Sequence, residues 1–267
     1  MKHYTVCLKS ARYLAEGIKS DDPRESLTDR QEQILGFSQR VMDSLSVLLI
    51  GAGGLGGEIA HGFARKGVGT IKLFDGDAVS FSNLSRQHFF KEDLCRNKAV
   101  CLGKNLLRQC IKKTQILCYP VMLQDAIKEG IDVSCDLVIC APDNNEVRIF
   151  ASKYFMNKTP VIFTGLDVLA NSGYIFIQKP SQACFGCAFP DSVNKVRNPC
   201  PNTPAIIDTG KVIAGFVLRA ADSVVMDRKI SWNYRQIFLD GSIQEFIRTI
   251  ELNKDCSLCS TTKRQSK

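Results

Sequence analysis

A glycine-rich turn directly after a short apolar run is the feature that most constrains this fold. The run Ser46–Ile50 reads SVLLI, and it leads straight into the sequence GAGGLGG, which begins at Gly51 and precedes a helical stretch. Gly51, Gly53 and Gly56 occupy the glycine positions of a G-x-G-x-x-G fingerprint. Glycines there let the backbone turn tightly and approach phosphate groups, whose charge is met by the helix N-terminus. The turn therefore predicts a strand-turn-helix unit that binds a nucleotide.

The rest of the chain continues this alternation of strand and helix. Short apolar strands are predicted at Thr70–Phe74 and near residues 116–121, 136–141 and 160–164, with helical stretches between them. This order predicts an α/β fold with a Rossmann-like, mainly parallel sheet and helices on both faces. Residues 172–179 and 230–251 alternate with period two, on either side of a long helix predicted at 209–226, so antiparallel strands should extend the sheet.

The same patterns suggest a domain organisation. Residues 1–29 are expected to be an N-terminal extension, and residues 30–260 a single domain with a nucleotide-binding half (30–165) and an antiparallel, zinc-binding half (166–260). Residues 261–267 read as a polar tail. We also expect one helix from Thr28 to Leu45, capped by Thr28 or Asp29, and another from about Lys91 to Gln109.

Composition and charge exclude several classes of protein. With 45% hydrophobic and 23% charged residues the chain is typical of globular proteins, and it has no uninterrupted apolar run long enough to cross a membrane. The N-terminus lacks the apolar core of a signal peptide, so we expect a cytoplasmic protein. The net charge of +8 is spread along the sequence, without a basic stripe interleaved with aromatic residues. We therefore expect no nucleic acid partner and no membrane association.

A carboxylate lies where a nucleotide-binding fold of this type places a ribose ligand. Asp75 follows the second strand, nineteen residues after Gly56. A carboxylate at this position can accept hydrogen bonds from ribose hydroxyls. On the turn and Asp75 alone, an NAD-dependent oxidoreductase would be the default interpretation.

The polar residues beyond Asp75 favour phosphoryl chemistry over hydride transfer. Arg86 offers a guanidinium fork to phosphate oxygens, Lys98 a point charge, and Asn83 and Gln87 neutral hydrogen bonds. Transfer of an adenylyl group develops negative charge on the α-phosphate and on the departing pyrophosphate, so cations are the equipment it requires. Asp143 follows the fourth strand, at the edge of the sheet where ligands bind, and is a candidate magnesium ligand.

These ordered motifs resemble the ThiF/MoeB/HesA family, relatives of the ubiquitin-activating enzymes, over residues 30–259. The resemblance implies that ATP and Mg²⁺ are the cofactors, with Gly53, Gly54 and Asp75 at the adenosine and Asp143 on Mg²⁺. The resemblance also implies Asn83, Arg86, Gln87 and Lys98 around the triphosphate, with Arg86, Lys98 and Asp143 as catalytic residues. The remaining nucleotide-binding positions are Gly51, Gly56, Asp77 and Asn144.

The resemblance also implies a reaction and an assembly. Members of this family adenylylate the C-terminal carboxylate of a ubiquitin-like, β-grasp sulfur carrier or modifier that ends in glycines, forming an acyl-adenylate and pyrophosphate. An arginine that precedes the glycine turn reaches across a dimer interface to the γ-phosphate. Arg30 matches that arginine, so the resemblance implies a homodimer with composite sites.

Four of the twelve cysteines form two Cys-x-x-Cys pairs, Cys184/Cys187 and Cys256/Cys259. Two such pairs have the spacing with which thiolates complete a tetrahedral, structural zinc site. Cys200 lies in a proline-rich loop, in a region where some members of the resembled family carry a cysteine that takes up the activated acyl group or a persulfide. We count it as a possible catalytic cysteine, although an ordinary loop thiol is the simpler interpretation.

The three histidines, His3, His61 and His88, show no spacing typical of a metal or acid-base site, so we expect none of them to be catalytic. Three alternatives to the carrier-adenylating function stay open at this point. The acceptor could be a short ribosomal peptide, the chain could be an NAD-binding oxidoreductase, or it could be an inactive scaffold that binds a nucleotide.

Overall fold

A mixed sheet runs through the described residues, which in this computed structural model are 6–9, 26–194, 204–241 and 245–260. Its nine strands are β1 (Val6–Lys9), β2 (Ser46–Ile50), β3 (Thr70–Phe74), β4 (Gln115–Tyr119), β5 (Leu137–Cys140), β6 (Val161–Leu166), β7 (Ser172–Gln178), β8 (Tyr234–Phe238) and β9 (Glu245–Arg248). Their order across the sheet is β1-β4-β3-β2-β5-β6-β7-β8-β9.

Helices join most of these strands. They are α1 (Asp29–Glu32), α2 (Gln39–Ser44), α3 (Gly54–Lys66), α4 (Lys98–Leu107), α5 (Leu123–Lys128), α6 (Asn145–Phe155), α7 (Phe185–Ala188), α8 (Pro190–Asn194) and α9 (Ile207–Val225). No helix of the described ranges is long and apolar enough to cross a membrane.

The centre of the sheet is parallel. Strands β4, β3, β2, β5 and β6 all run in one direction, and the chain moves from β2 outward to β3 and β4 before it returns to β5 on the other side of β2. A crevice therefore opens at the carboxyl ends of β2 and β5, where open α/β sheets bind their ligands. The outer strands β1, β7, β8 and β9 are antiparallel to their neighbours. The expected parallel sheet with an antiparallel extension is confirmed.

Both faces of the sheet are covered by helices. Successive side chains of a strand point to opposite faces, and β2 divides its apolar residues accordingly. Val47 and Leu49 belong to the core cluster that includes residues of α3, α4 and α9. Leu48 and Ile50 belong to a second cluster with residues of α5, α6 and α7. A strand buried on both faces reads as the continuous apolar run seen in the sequence.

The structure differs from the sequence-based prediction at two helices. The single helix predicted from Thr28 to Leu45 is two short ones, because Gly36 has a φ of +74°, which no right-handed helix can contain. The helix predicted from Lys91 begins only at Lys98, since the Asn97 side chain caps it by accepting a hydrogen bond from the Val100 N–H at 3.1 Å.

The N-terminal extension also contains an element that the sequence did not reveal. Strand β1 pairs with β4 in antiparallel register, with Val6 opposite Cys118 and Lys9 opposite Gln115. Its partner lies more than a hundred residues away along the chain, so no local pattern could predict the pairing. β1 forms one end of the sheet.

Candidate nucleotide site and cysteine cluster

A cavity of about 520 Å³ lies at the carboxyl ends of β2, β3 and β5, in the crevice between β2 and β5. It brings together residues that the sequence places in four separate motifs. Those that line it are Gly51, Gly53, Gly54, Asp75, Asp77, Asn83, Arg86, Gln87, Lys98, Asp143 and Asn144. The chain thus gathers the proposed nucleotide-binding residues around one cavity.

The glycine turn is tightly packed. Gly51 has a φ of +96°, and a Cβ atom there would lie 2.8 Å from the Ala141 carbonyl oxygen at the end of β5. Gly56 does not line the cavity, but a Cβ atom on it would lie 1.9 Å from the Gly51 oxygen. Glycine at both positions therefore lets α3 begin directly beneath the turn, with the positive end of its dipole toward the cavity.

Asp75 is held by the backbone on both of its oxygens. Its Oδ2 accepts a hydrogen bond from the Ala52 N–H at 2.7 Å, and its Oδ1 accepts one from the Asp77 N–H at 2.9 Å. The residue is only 8% exposed. Burial raises the pKa of Asp75, and the two backbone donors oppose that rise. The carboxylate is thereby fixed at the end of β3, beside the glycine turn.

Lys98 and Asp77 form an ion pair at the start of α4. The Lys98 Nζ donates to the Asp77 Oδ2 at 2.9 Å, and the lysine side chain is 14% exposed. Asn97, which the sequence analysis did not select, donates from its Nδ2 to the Asp75 carbonyl oxygen at 2.8 Å and also contacts the Asp77 carbonyl oxygen at 3.2 Å. Asn97 therefore joins the α4 N-terminus to the loop after β3.

The loop of residues 80–87 presents Arg86 and Gln87 to the cavity. Its turn depends on the buried Asn83, whose Oδ1 accepts a hydrogen bond from the Ser80 N–H at 3.0 Å. The side-chain oxygen of Asn83 is therefore already bound to the backbone of the loop. Arg86 donates from Nη1 to the Ser82 carbonyl oxygen at 2.9 Å. The Gln87 Oε1 is buried and makes no hydrogen bond within the described residues.

Asp143 and Asn144 stand at the end of β5. Asp143 is exposed, as a ligand-facing carboxylate can be. Asn144 caps α6 by accepting a hydrogen bond from the Val147 N–H at 2.9 Å, and its Nδ2 lies 3.4 Å from the Asp143 Oδ1. Asn144 thus supports the position of Asp143, while its own oxygen is bound to the helix.

Two further residues line the cavity and were missed by the sequence analysis. The Oε1 of Gln124 and the Nε of Arg148 are buried without a hydrogen-bond partner in the described structure. Arg148 also donates from Nη2 to the Pro142 carbonyl oxygen at 2.6 Å. Arg148 lies four residues after Asn144, the N-cap of α6, and this spacing was a usable signal, whereas nothing in the local sequence marks Gln124.

Arg30 and Cys200 are not among the described residues that line this cavity. Arg30 lies on α1 with an 86% exposed side chain and is not among the residues that line the cavity of its own chain. Cys200 lies outside the described residues. Their expected roles stay predictions.

The two cysteine pairs meet in space. Cys184 Sγ lies 3.7 Å from Cys187 Sγ and 3.6 Å from Cys256 Sγ, and Cys187 Sγ lies 3.7 Å from Cys259 Sγ. Four thiolates in a tetrahedral zinc site stand about 3.8 Å apart, given Zn–S bonds of about 2.3 Å. The cluster could therefore hold such an ion, and all four sulfurs lie within one group.

The surroundings of the cluster suit a cation. Burial raises the pKa of Cys184, and it raises that of Cys259 to about 12, so those two thiolates need a positive charge close by. Burial also acts on Cys256, but backbone hydrogen bonds from Cys259 and Leu258 outweigh it and lower the pKa of that thiol. The Asn253 N–H donates to the Cys187 Sγ at 3.4 Å. A Cβ atom on Gly186 would lie 2.8 Å from the Leu258 Cβ and 3.0 Å from the Cys256 Sγ. Glycine at this position allows the two pairs to approach each other.

Curated relatives share recognisable sequence with the chain. The sulfur carrier protein ThiS adenylyltransferase of Escherichia coli is 34% identical over 61% of this chain and 65% of its own length. The adenylyltransferase and sulfurtransferase MOCS3 of Caenorhabditis briggsae is 26% identical over 94% of this chain, which spans 64% of that protein. The molybdopterin-synthase adenylyltransferase of E. coli is 25% identical over 79% of this chain and 91% of its own length.

Solved structures agree on the fold. E. coli MccB bound to succinimide superposes with a TM-score of 0.69 at 19% identity, covering 88% of this chain and 74% of MccB. PaaA superposes with a TM-score of 0.60 at 20% identity, covering 80% of this chain and 67% of that one. Residues 28–260 match the ThiF family, which confirms the resemblance seen in the motifs. The chain belongs to the ThiF family.

Proposed function

We propose that the chain adenylylates the C-terminal carboxylate of a small protein or peptide with MgATP. The observation that carries this proposal is the single cavity around which the glycine turn, a buried carboxylate, two cations and an exposed aspartate converge. In the reaction, a carboxylate oxygen of the acceptor forms a bond to the α-phosphorus of ATP. The bond from the α-phosphorus to the bridging oxygen breaks, and pyrophosphate leaves.

The cavity suggests one orientation for the nucleotide. Asp75, fixed by two backbone donors at the end of β3, would accept hydrogen bonds from the ribose hydroxyls. The phosphates would then lie over the N-terminus of α3, where the glycine turn allows close approach. The base would extend past the end of β4 toward Gln124, whose buried oxygen lacks a partner within the described residues. An adenine amino group can supply the missing donor.

The charged residues would act on the phosphate groups. Arg86 and Lys98 would stabilise the charge that develops on the α-phosphate and the pyrophosphate. Asp77 pairs with the Lys98 Nζ at 2.9 Å and so positions it. Asp143 would hold Mg²⁺, which neutralises phosphate charge when bound.

The far side of the cavity offers a path for the acceptor. Pro204, Ala205, Ile206 and Gly210 line it, next to Val168, which is 66% exposed. No atom lies within 4 Å of a Cβ built on Gly210. A narrow tail that ends in glycines would fit between such apolar residues, and the names of two relatives specify a sulfur carrier and molybdopterin synthase. We therefore favour a β-grasp, ubiquitin-like carrier over a short peptide as the acceptor.

We propose that Zn²⁺ occupies the four-cysteine cluster in a structural role. A site with four thiolates has no open coordination position, so the ion takes no part in the reaction. Thiolates that must stay reduced fit a cytoplasmic protein. A buried hydrogen bond supports this part of the chain, since the Phe185 N–H, next to Cys184, donates to the Ser152 Oγ at 3.1 Å.

We propose a homodimer in which Arg30 completes the partner's nucleotide site. Arg30 is exposed and does not line its own cavity, and the apolar residues Leu27, Ile34 and Leu35 near it in the sequence are 58%, 44% and 97% exposed. Mixing the inactive variants Arg30→Ala and Asp143→Ala tests this arrangement. A mixed dimer contains one intact site, on the Arg30→Ala chain, so activity should return on mixing if the arginine acts across the interface.

ATP–pyrophosphate exchange tests the proposed reaction. Purified protein with Mg²⁺ is assayed with and without a ubiquitin-like protein that ends in glycines, and then with short peptides. Asp143→Ala should abolish exchange. The control is Asp43→Ala, which removes a carboxylate paired with Lys112 near the amino ends of β2 and β4, opposite to the cavity. Tight ATP binding without exchange for any acceptor would favour a nucleotide-binding scaffold, and absorbance from a reduced nicotinamide would favour an oxidoreductase.

A further inference from the structure

A second cluster of metal-binding side chains lies behind the glycine turn. It consists of Glu58 and His61 on α3 and His88, directly after the cavity residue Gln87. One donor atom from each of the three side chains lies within 4.8 Å of the other two. His61 and His88 also line a separate cavity of about 440 Å³. The spacing of these residues in the sequence gave no sign of the cluster, because the loop after β3 brings His88 back to α3.

Two atoms of this cluster lack the partners that buried polar atoms need. The Glu58 Oε1 and the His88 Nε2 are 3.1 Å apart, close enough for an ion pair when His88 is protonated, but neither atom makes a hydrogen bond within the described ranges. The Glu58 side chain is only 9% exposed. A buried carboxylate oxygen without a partner is costly. A positive ion between the two atoms would satisfy both lone pairs at once.

The local structure holds the three side chains in place. Glu58 and His61 are three residues apart on α3, so they lie on one face of the helix. The His61 Nε2 lies 3.3 Å from the Gln109 Oε1, and a hydrogen bond on one ring nitrogen orients the other nitrogen toward a metal ion. A Cβ atom on Gly57 would lie 3.3 Å from the His88 Cδ2, so glycine there lets His88 sit close against α3.

We propose that Glu58, His61 and His88 bind a divalent transition-metal ion such as Zn²⁺. Two imidazoles and a carboxylate are ligands that Zn²⁺ prefers, and three protein ligands leave one coordination position for water or a ligand from the adjoining cavity. Because His88 follows Arg86 and Gln87 directly, the ion would connect the loop of residues 80–87 to α3. This site is distinct from the four-cysteine cluster and does not depend on the proposed reaction.

Nitrogen NMR of the imidazole rings tests the proposal in the full chain. The chain has only three histidines, so the spectrum is simple and His3 is an internal control. Protein that carries one Zn²⁺ per chain in the cysteine cluster is titrated with further ZnCl₂. The ring signals of His61 and His88 should shift together and saturate at one added equivalent, whereas those of His3 should not change. Shifts of all three rings, or none up to millimolar zinc, would overturn the proposal.

Matched variants identify the carboxylate ligand. Glu58→Gln keeps the shape of the side chain but should weaken binding of the added zinc at least about tenfold. Glu92→Gln changes an exposed residue that lines the same cavity and should leave the affinity unchanged. If Glu58→Gln is unstable, His88→Gln replaces it, because that side chain is 31% exposed. Unchanged zinc affinity in a folded Glu58→Gln or His88→Gln variant would refute the site.

Discussion

Replacing Asp75 by asparagine tests the proposed ribose contact. Both carboxylate oxygens accept backbone hydrogen bonds, at 2.7 Å from Ala52 and 2.9 Å from Asp77. Asparagine has one acceptor oxygen, so its amide group would face one of these N–H donors. A hydrogen bond to a charged group contributes about 1.5–3 kcal/mol. Relief of the buried charge offsets part of that loss, so we expect the free energy of unfolding to fall by about 1.5 kcal/mol.

The effect on ATP should be larger than the effect on folding. The carboxylate has lone pairs for the ribose hydroxyls in addition to the backbone donors. Loss of one charge-assisted hydrogen bond of about 1.5–3 kcal/mol raises the Kd for ATP by about tenfold to a hundredfold. Isothermal titration calorimetry at neutral pH measures this change directly, with the folded fraction of the variant confirmed by circular dichroism.

The control for this variant is Asp136→Asn. The Asp136 Oδ2 accepts a hydrogen bond from the Ser46 N–H at 2.8 Å, at the opposite end of β2 from Ala52. Asp136→Asn also replaces a carboxylate that accepts a hydrogen bond from a backbone N–H, in this case that of Ser46 on β2, but the site is far from the cavity. ATP affinity should stay at the wild-type value there. Wild-type affinity in folded Asp75→Asn, or an equal loss in both variants, would refute a ribose contact by Asp75.

Three further predictions concern other parts of the molecule. Lys98→Met should reduce the rate of pyrophosphate exchange about a hundredfold or more, whereas Lys112→Met, which breaks a comparable lysine–aspartate pair at 2.9 Å, should not. Burial raises the pKa of Asp75, and only the ionised carboxylate can accept hydrogen bonds from both the backbone and the ribose. The affinity for ATP should therefore fall as the pH is lowered through that raised pKa. ATP affinity measured over a series of pH values should depend less on pH in Asp75→Asn than in the wild type. Gly186→Ala should force apart the two cysteine pairs and lower the zinc content measured by mass spectrometry, while Gly210→Ala, with open space around it, should keep a full complement.

Locally encoded features could be predicted from the sequence. The turn from β2 into α3 needs glycine at Gly51 and Gly56 for steric reasons that act over a few residues, so the motif alone identifies it. The cysteine pairs are also local, since each has the spacing of a metal knuckle. The polar residues after β3 follow from the rule that ligands bind at the carboxyl ends of parallel strands.

Other features depend on contacts between distant parts of the chain. The spacing of apolar residues predicts one continuous helix through Gly36, because that spacing carries no information about a positive φ. Gln124 lies on α5 and Arg148 on α6, and the two residues meet at one cavity only in the folded sheet, so their unpartnered atoms become visible in the structure. The cluster around His88 likewise needs the loop after β3 to fold back onto α3.

A shared metal ion at the cysteine cluster would also act as a cross-link in the unfolded chain. Cys184 and Cys256 are 72 residues apart, and the segment between them contains α9, β8 and β9. Closing a loop of this length removes conformational entropy worth about 4 kcal/mol from the unfolded ensemble, if the estimate for disulfides applies. Chelation would remove this cross-link, while α9 would stay packed in the core cluster that it shares with α3. The outer strands β8 and β9 would become the first sites of proteolysis, while the parallel centre of the sheet stayed protected.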